Sequence, residues 1–247
     1  MLNYNIIGEG EQTWVFLHGF LESSSMWKYV DLNIFRGRKI LIDLPGHGKS
    51  GLNASLESAS MSFFAEEVEK VLKNESVLDC RIIGHSMGAY VGVEVMHRKQ
   101  IEVSKMVFLN SNCWADSEQK KIDRQRVAEI AFKAKHIFIS EAIPNLFARA
   151  ENFQSDINAL KKEALEIKAE SIAFAALSMK DRNDYCAFVQ SFPEKFAFIH
   201  GDLDRLASTA DLISRVGKAK VFVIEKAGHM VHIEANEQLL DIFKQFL

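Results

Sequence analysis

No apolar run in this 247-residue chain approaches the roughly 20 residues that a membrane-spanning helix needs, so no membrane partner is expected. The start, Met1-Leu2-Asn3-Tyr4-Asn5, lacks the basic residues and apolar stretch of a secretory signal. Cysteine is scarce. Cys80, Cys113 and Cys186 are odd in number and without metal-ligand spacing, which points to free thiols in a reducing compartment. An excess of either charge is also lacking: 30 Lys and Arg face 33 Asp and Glu, and a net charge of −3 draws the chain toward neither nucleic acid nor an anionic membrane. Internal repeats and low-complexity tracts are missing as well. These absences lead us to expect a cytoplasmic globular protein without a nucleic-acid partner. What the chain does have is core-forming material, since 48 % hydrophobic and 26 % charged residues suit one large α/β domain or two small ones.

Short apolar runs alternate with helical patterns. Strands are expected at Thr13 to Leu17, Lys39 to Asp43, Cys80 to Ile83, Lys105 to Leu109, Phe196 to His200 and Lys220 to Ile224. Most of these are continuously apolar, as strands covered on both faces of a parallel sheet should be. Between them, Phe63, Phe64, Val68, Val71 and Leu72 form a helical stripe with Ser60 or Ser62 as N-cap, and Leu239, Leu240, Phe243 and Leu247 form another. The alternation predicts a mostly parallel, doubly wound α/β sheet. From about Asn112 to Phe192 the rhythm breaks into helices, with Ile137-Phe138-Ile139 as a weak strand exception. Helices are expected from Asp116 through Ala134, from Ser155 or Asp156 through Ala169, over Ser171 to Met179 and over Asp184 to Ser191. The division expected is a core of residues 1–111 and 193–247 with a helical cap or lid at 112–192, inserted after the sixth strand of the sheet. Phenylalanines 132, 138, 147, 153, 174 and 188 face a substrate cavity or, the commoner case, form the lid's own packing.

The most informative residues are Gly84-His85-Ser86-Met87-Gly88, a Gly-x-Ser-x-Gly turn after an apolar strand. Glycine on both sides lets the backbone fold sharply, and the strain exposes the serine hydroxyl at a helix N-terminus. Serine acyl transfer also needs a neutral imidazole, a carboxylate to orient it and donors for the oxyanion. His229, in Lys226-Ala227-Gly228-His229, follows an apolar strand, and Asp202 or Asp204 follows another. His18-Gly19-Phe20 ends the first strong strand, where the Phe20 amide, with that of Met87, offers two donors. Taken singly, Ser86 is equally a helix cap, His229 a solvent-facing loop residue and the aspartate a turn former.

The order Ser86, Asp204, His229, with His18-Gly19 before it and Gly84-x-Ser86-x-Gly88 within it, resembles the α/β-hydrolase superfamily over essentially the whole chain. Asp43-Leu44-Pro45-Gly46-His47-Gly48-Lys49-Ser50 is similar to that superfamily's Asp-x-x-Gly-x-Gly-x-Ser loop. The resemblance implies Asp204 rather than Asp202 as the acid, and His229 rather than His232 as the base. It implies a hydrolase of a small carboxylic ester or related acyl compound, working through an acyl-enzyme without a cofactor or metal. The partner it implies is a small-molecule acyl substrate, with His18, His85, Trp114, Arg124 and Phe147 as candidates for the pocket.

Serine at position 86 disfavours the resembling dehalogenases and epoxide hydrolases, which place aspartate there. His18 to Trp27 is similar to the loop of SHCHC synthase, a lyase related to these hydrolases; that alternative, or a C–C bond hydrolase, uses the same triad, with Arg124, Arg126 and Arg149 as candidate holders of substrate carboxylates. A small-ligand receptor on the same fold is the alternative of another class. Gly48-Lys49-Ser50 ends like a phosphate loop, but Asp43 stands where its first glycine belongs. His229, His232 and Glu234 hint at a metal without further ligand spacing, and His232 is expected at the surface or a helix start.

Overall fold

The computed structural model describes residues 1–246. Its strands are β1 (Tyr4–Ile7), β2 (Thr13–Leu17), β3 (Arg38–Ile42), β4 (Asp79–His85), β5 (Glu102–Leu109), β6 (Phe196–Gly201) and β7 (Lys220–Ile224). They form one sheet in the order β1-β3-β2-β4-β5-β6-β7, parallel throughout except for β1, which runs antiparallel to β3 at the edge. All six expected strands are present. Only β1 went unforeseen, because its half-exposed and exposed side chains give it no continuous apolar signal.

The helices are α1 (Met61–Asn74), α2 (Met87–Arg98), α3 (Glu118–Ala142), α4 (Gln154–Glu166), α5 (Ala169–Lys180), α6 (Cys186–Ser191), α7 (Thr209–Arg215), α8 (Val231–Glu234) and α9 (Asn236–Phe246). Alternate residues of β2 serve opposite faces of the sheet, as the period of two demands. Val15 and Leu17 join the core beneath α1 and α2, while Trp14 and Phe16 join the core beneath α9. There Phe35 meets Trp14, Phe16 and Phe243 edge to face, at ring centroids 5.0–5.2 Å apart. Ser60 is the N-cap of α1, accepting from Phe63 N at 3.1 Å. Of the expected α9 stripe, Leu239 and Phe243 are buried and Leu240 packs beside them, whereas Leu247 lies outside the described residues.

Helices α3 to α6 follow β5, the fifth strand, and not the sixth as expected: only β1 precedes β2, so the strand count is one shorter. Ser117 rather than Asp116 caps α3, because Asp116 is turned inward to bind Arg124 and Arg182. A non-helical Ala134 kinks α3, which then continues through Ile137-Phe138-Ile139. Helices α3 to α5 share a core of their own, which includes Leu21 from the loop after β2 and Met230 from the loop after β7, whereas Val189 of α6 joins the sheet core. That shared cluster sets them over the C-terminal ends of the parallel strands, where sites of open α/β sheets lie.

Candidate active site

Strand β4 ends at His85 and α2 begins at Met87, which leaves Ser86 alone in the turn at φ 49°, ψ −115°. A left-handed φ in a residue with a Cβ is a strained conformation that its surroundings must enforce. They do. Ser86 N donates to Leu109 O at 2.9 Å, and Ser111 Oγ donates to Ser86 O at 2.8 Å. A Cβ on Gly84 would run into the Ala89 backbone, and one on Gly88 into the carbonyls of Leu17 and His18. Gly88 thus lets α2 press against the end of β2. The side chain of half-buried Ser86 does not cap α2, and its hydroxyl makes no hydrogen bond among the described residues. Among the described residues the Phe20 amide donates to no acceptor, and Met87, first in α2, has no preceding helical carbonyl to bond.

After β7 the chain passes through Lys226, at φ 61°, into Ala227-Gly228-His229. His229 Nδ1 lies 2.8 Å from Asp204 Oδ2, and both side chains are buried. Asp202, by contrast, is exposed. Asp204 also accepts from Asn110 Nδ2 at 3.0 Å and from Leu206 N at 2.9 Å. Burial pushes the Asp204 carboxyl up, but the facing His229, with His200 and the Asn110 amide, outweighs it and holds the group well below the usual carboxylate range. A carboxylate on Nδ1 leaves Nε2 as the ring's lone-pair face. Ser86 Oγ has no hydrogen bond to His229 among the described residues; it is His85, the residue before Ser86, whose Nε2 reaches the His229 carbonyl at 3.1 Å. Bonds between nucleophile and base often close only around substrate.

The candidate pocket residues are placed unevenly. His18 is fully buried, with Nδ1 2.8 Å from Gly19 O and Nε2 accepting from Leu44 N at 2.9 Å, so both ring nitrogens are engaged with backbone. His85 is likewise buried and committed at both nitrogens. Trp114 packs by the sheet core with Arg215 4.9 Å over its ring, and among the described residues it shares no hydrogen bond or ring contact with Ser86, Asp204 or His229. Arg124 is held by Asp116 at 3.1 Å, and Asp116 also takes Arg182 at 2.6 Å. Arg126 pairs with Asp123 on the surface, and Arg149 is exposed. Phe147 is buried against Phe153, 5.6 Å away, inside the helical core. Phe174 packs on Phe63 and Phe64, Phe188 on Phe192 and Phe196, and Phe132 is exposed, so these rings are packing or surface.

The roles of three residues of this site went unread in the sequence, where Glu234 figured only as a hint of a metal. Asn110, Glu22 and Glu234 each act by long-range hydrogen bonding, for which a sequence has no local signal. His232, expected at the surface or a helix start, does open α8 but is fully buried, because its ring packs against His85 at 4.9 Å and Tyr29 at 6.0 Å. Among the described residues no group of three His, Cys, Asp or Glu side chains is arranged to hold a metal ion, and no helix is long and apolar enough to cross a membrane.

A parallel sheet with one antiparallel edge, a strained serine after one strand and a bonded acid and histidine after two later ones define the class. The model of the alpha/beta hydrolase family matches residues 14–242, and the chain belongs to that family. It is 25 % identical over 99 % of its length to the dihydrolipoyllysine-residue acetyltransferase component of the acetoin cleaving system of Pseudomonas putida, of which it spans 65 %. It is 24 % identical to the pimeloyl-[acyl-carrier protein] methyl ester esterase of Aeromonas hydrophila, over 94 % of each chain. In fold it is similar to a thermophilic esterase from Thermogutta terrifontis, with a TM-score of 0.87, 23 % identity, and 99 % of this chain and 92 % of that one covered.

Proposed function

We propose that the protein is a serine hydrolase that cleaves a small carboxylic ester or related acyl compound through an acyl-enzyme. The observation that carries this reading is the buried 2.8 Å contact between His229 Nδ1 and Asp204 Oδ2, in a loop tied to the strained Ser86 turn. Asp204 fixes the tautomer, so Nε2 takes the Ser86 proton as Oγ attacks the carbonyl carbon. The Phe20 and Met87 amides receive the oxyanion, and the same imidazole returns its proton to the leaving alkoxide. Water, deprotonated by His229, then attacks the acyl-serine and releases the acid.

Residues 112–192 act in this reading as a cap on a core of 1–111 and 193–247, and the substrate is a small uncharged acyl compound met in the cytoplasm without nucleic-acid or membrane partners. The engagement of Arg124 and Arg126 with aspartates supports an ester over the dicarboxylate that a lyase would hold.

The test is initial rates on p-nitrophenyl acetate, butyrate and octanoate, for wild type and Ser86→Ala. Hydrolysis abolished in the variant supports the reading, and the chain-length preference sizes the pocket. Equal rates in the two proteins overturn it.

A further inference from the structure

Glu22 lies in the loop after β2 with only 4 % of its surface exposed. Its Oε2 accepts from Gly19 N at 2.7 Å and faces His85 Nδ1 at 2.8 Å. The other nitrogen of that ring, Nε2, faces the His229 carbonyl at 3.1 Å. Both partners of the ring are thus acceptors. A neutral imidazole carries one N–H and one lone pair, and would set the lone pair against an acceptor. The pair must therefore hold two protons, one on Nε2 and one between Nδ1 and Oε2. Because Oε2 already accepts the Gly19 amide, its carboxylate form is favoured and the second proton belongs to the ring. The electrostatics agree. Burial opposes charge on His85, but the charge and hydrogen bond of Glu22, with the His229 carbonyl, outweigh it and raise the ring's pKa. The same pairing takes Glu22 down to about 2 against its own burial.

Gly19 is what admits the pair. A Cβ there would collide with both Glu22 Oε2 and His85 Nδ1, so the carboxylate reaches across only because that position has no side chain. The remaining titratable groups facing the pair are His229 and His232 from the segment after β7, Asp204 from the loop after β6, and His18 at the end of β2. His232 stays neutral: burial, then the His85 charge, lowers its pKa to about 3.

We propose that Glu22 and His85 form a buried carboxylate–imidazolium pair that positions the acyl-transfer site, locking three separate loops together through one chain of charge-assisted hydrogen bonds. The chain runs from Gly19 N–H to Glu22, from His85 Nδ1–H to Glu22, and from His85 Nε2–H to the His229 carbonyl. Gly19 precedes Phe20, His85 precedes Ser86, and His229 is the proposed base, so each end of the chain adjoins a group the reaction uses. Hydrogen bonds to ionised partners are roughly twice as strong as neutral ones. The effect on turnover rests on the serine hydrolase reading; the protonation of the ring does not.

The first test is a long-range proton–nitrogen NMR spectrum of the imidazole rings in the Ser86→Ala protein, which cannot turn over, with His85 assigned by comparison with His85→Asn. Both nitrogens of His85 are expected to be protonated at neutral pH, and in Glu22→Gln one of them loses its proton while the His229 ring signals move. A neutral His85 ring in Ser86→Ala overturns the pair, and unmoved His229 signals in Glu22→Gln overturn its positioning role, even if no ester is turned over. Where turnover is measurable, Glu22→Gln is expected to lower kcat about 10- to 100-fold with KM changed by less than about threefold, as a displaced catalytic group does. Glu22→Asp, which keeps the charge, recovers part of the loss. Wild-type kcat in Glu22→Gln overturns the positioning role, and wild-type hydrolysis absent on every ester counts against the hydrolase reading alone.

Discussion

The backbone N–H of His229 donates to the Leu146 carbonyl at 2.8 Å, so the loop that presents the imidazole is fastened to the helices above it. Glu234 doubles this fastening. Its Oε2 accepts from Ala148 N at 2.8 Å, and its Oε1 from Gly228 N at 3.0 Å and Met230 N at 3.3 Å. Glu234→Ala strips the amides of half-buried Ala148 and buried Gly228 and Met230 of their acceptor, and a cost of about 1–3 kcal/mol is expected from the urea midpoint. Turnover should fall with it, because Gly228 and Met230 flank His229. Unchanged stability and kcat together would contradict this account.

Ser86 separates chemistry from strain. Ser86→Ala should lower turnover by about 10⁶-fold, the scale seen when such a nucleophile is removed, and leave the fold intact. Its Cβ keeps the φ of 49°, so the strain remains. Ser86→Gly relieves it, and should be more stable than Ser86→Ala by about 1 kcal/mol in parallel urea titrations. Equal midpoints would show that the turn stores no strain.

Asn110 sits at φ 46° and holds Asp204 Oδ2 and Gly228 O, each at 3.0 Å, with one amide. Asn tolerates the left-handed region better than most residues, so Asn110→Ala loses both hydrogen bonds and strains the backbone. A decrease in kcat of roughly tenfold is expected from the loosened acid, with KM nearly constant. Steady-state kinetics on the best ester decides it. A change confined to KM would assign Asn110 to substrate binding instead.

Acid should unfold the protein sooner than its carboxylates alone require. His47 is buried and its pKa is lowered to about 3, by burial first and then by His18, and His232 is lowered to about 3 by burial and His85. For groups whose folded pKa lies below the unfolded value, stability is present above the unfolded pKa, about 6.5 for histidine, and is lost as pH falls toward the folded one. The urea midpoint should therefore decline from about pH 6.5 downward. Glu22, with a folded pKa of about 2, adds a loss in a lower window, below the usual range for glutamate. His85 acts in the opposite sense: its raised pKa contributes stability below the unfolded value that is lost as pH rises through the folded one. Neither ring nitrogen of His232 has a hydrogen-bond partner among the described residues, so His232→Leu should hold stability at neutral pH and flatten the acid decline. An unchanged slope would remove His232 from this account.

Much of the architecture was legible because its signals are local. Apolar runs marked six of the seven strands: five lie inside the sheet, where both faces are covered, and the sixth, the half-exposed edge strand β7, is apolar from Val221 to Ile224 by sequence alone. Gly84 and Gly88 marked the turn, because the backbone packs too tightly there for any side chain. The edge strand β1 escaped, being covered on one side at most. The helices over residues 112–192 were legible as helices, but what their side chains touch was not. Arg124 read as a candidate holder of substrate carboxylates and lies beside Asp116, and of the two readings of Phe147, pocket or lid packing, the structure places it in the helical core.

By itself the sequence marked the candidates for the chemistry: a serine in a glycine-flanked turn, a histidine and an aspartate each in a loop after a strand. Tertiary structure alone decided what surrounds them. It buried Asp204, which the resemblance had already favoured, and left Asp202 exposed. It also set Glu22 against His85 and Glu234 against Ala148, and turned the His18 ring nitrogens onto backbone. Local patterns follow from the backbone's periodicity and steric limits, which neighbouring residues express. Hydrogen bonds between residues far apart in the chain depend on how the sheet stacks its loops, and no short stretch of sequence encodes that.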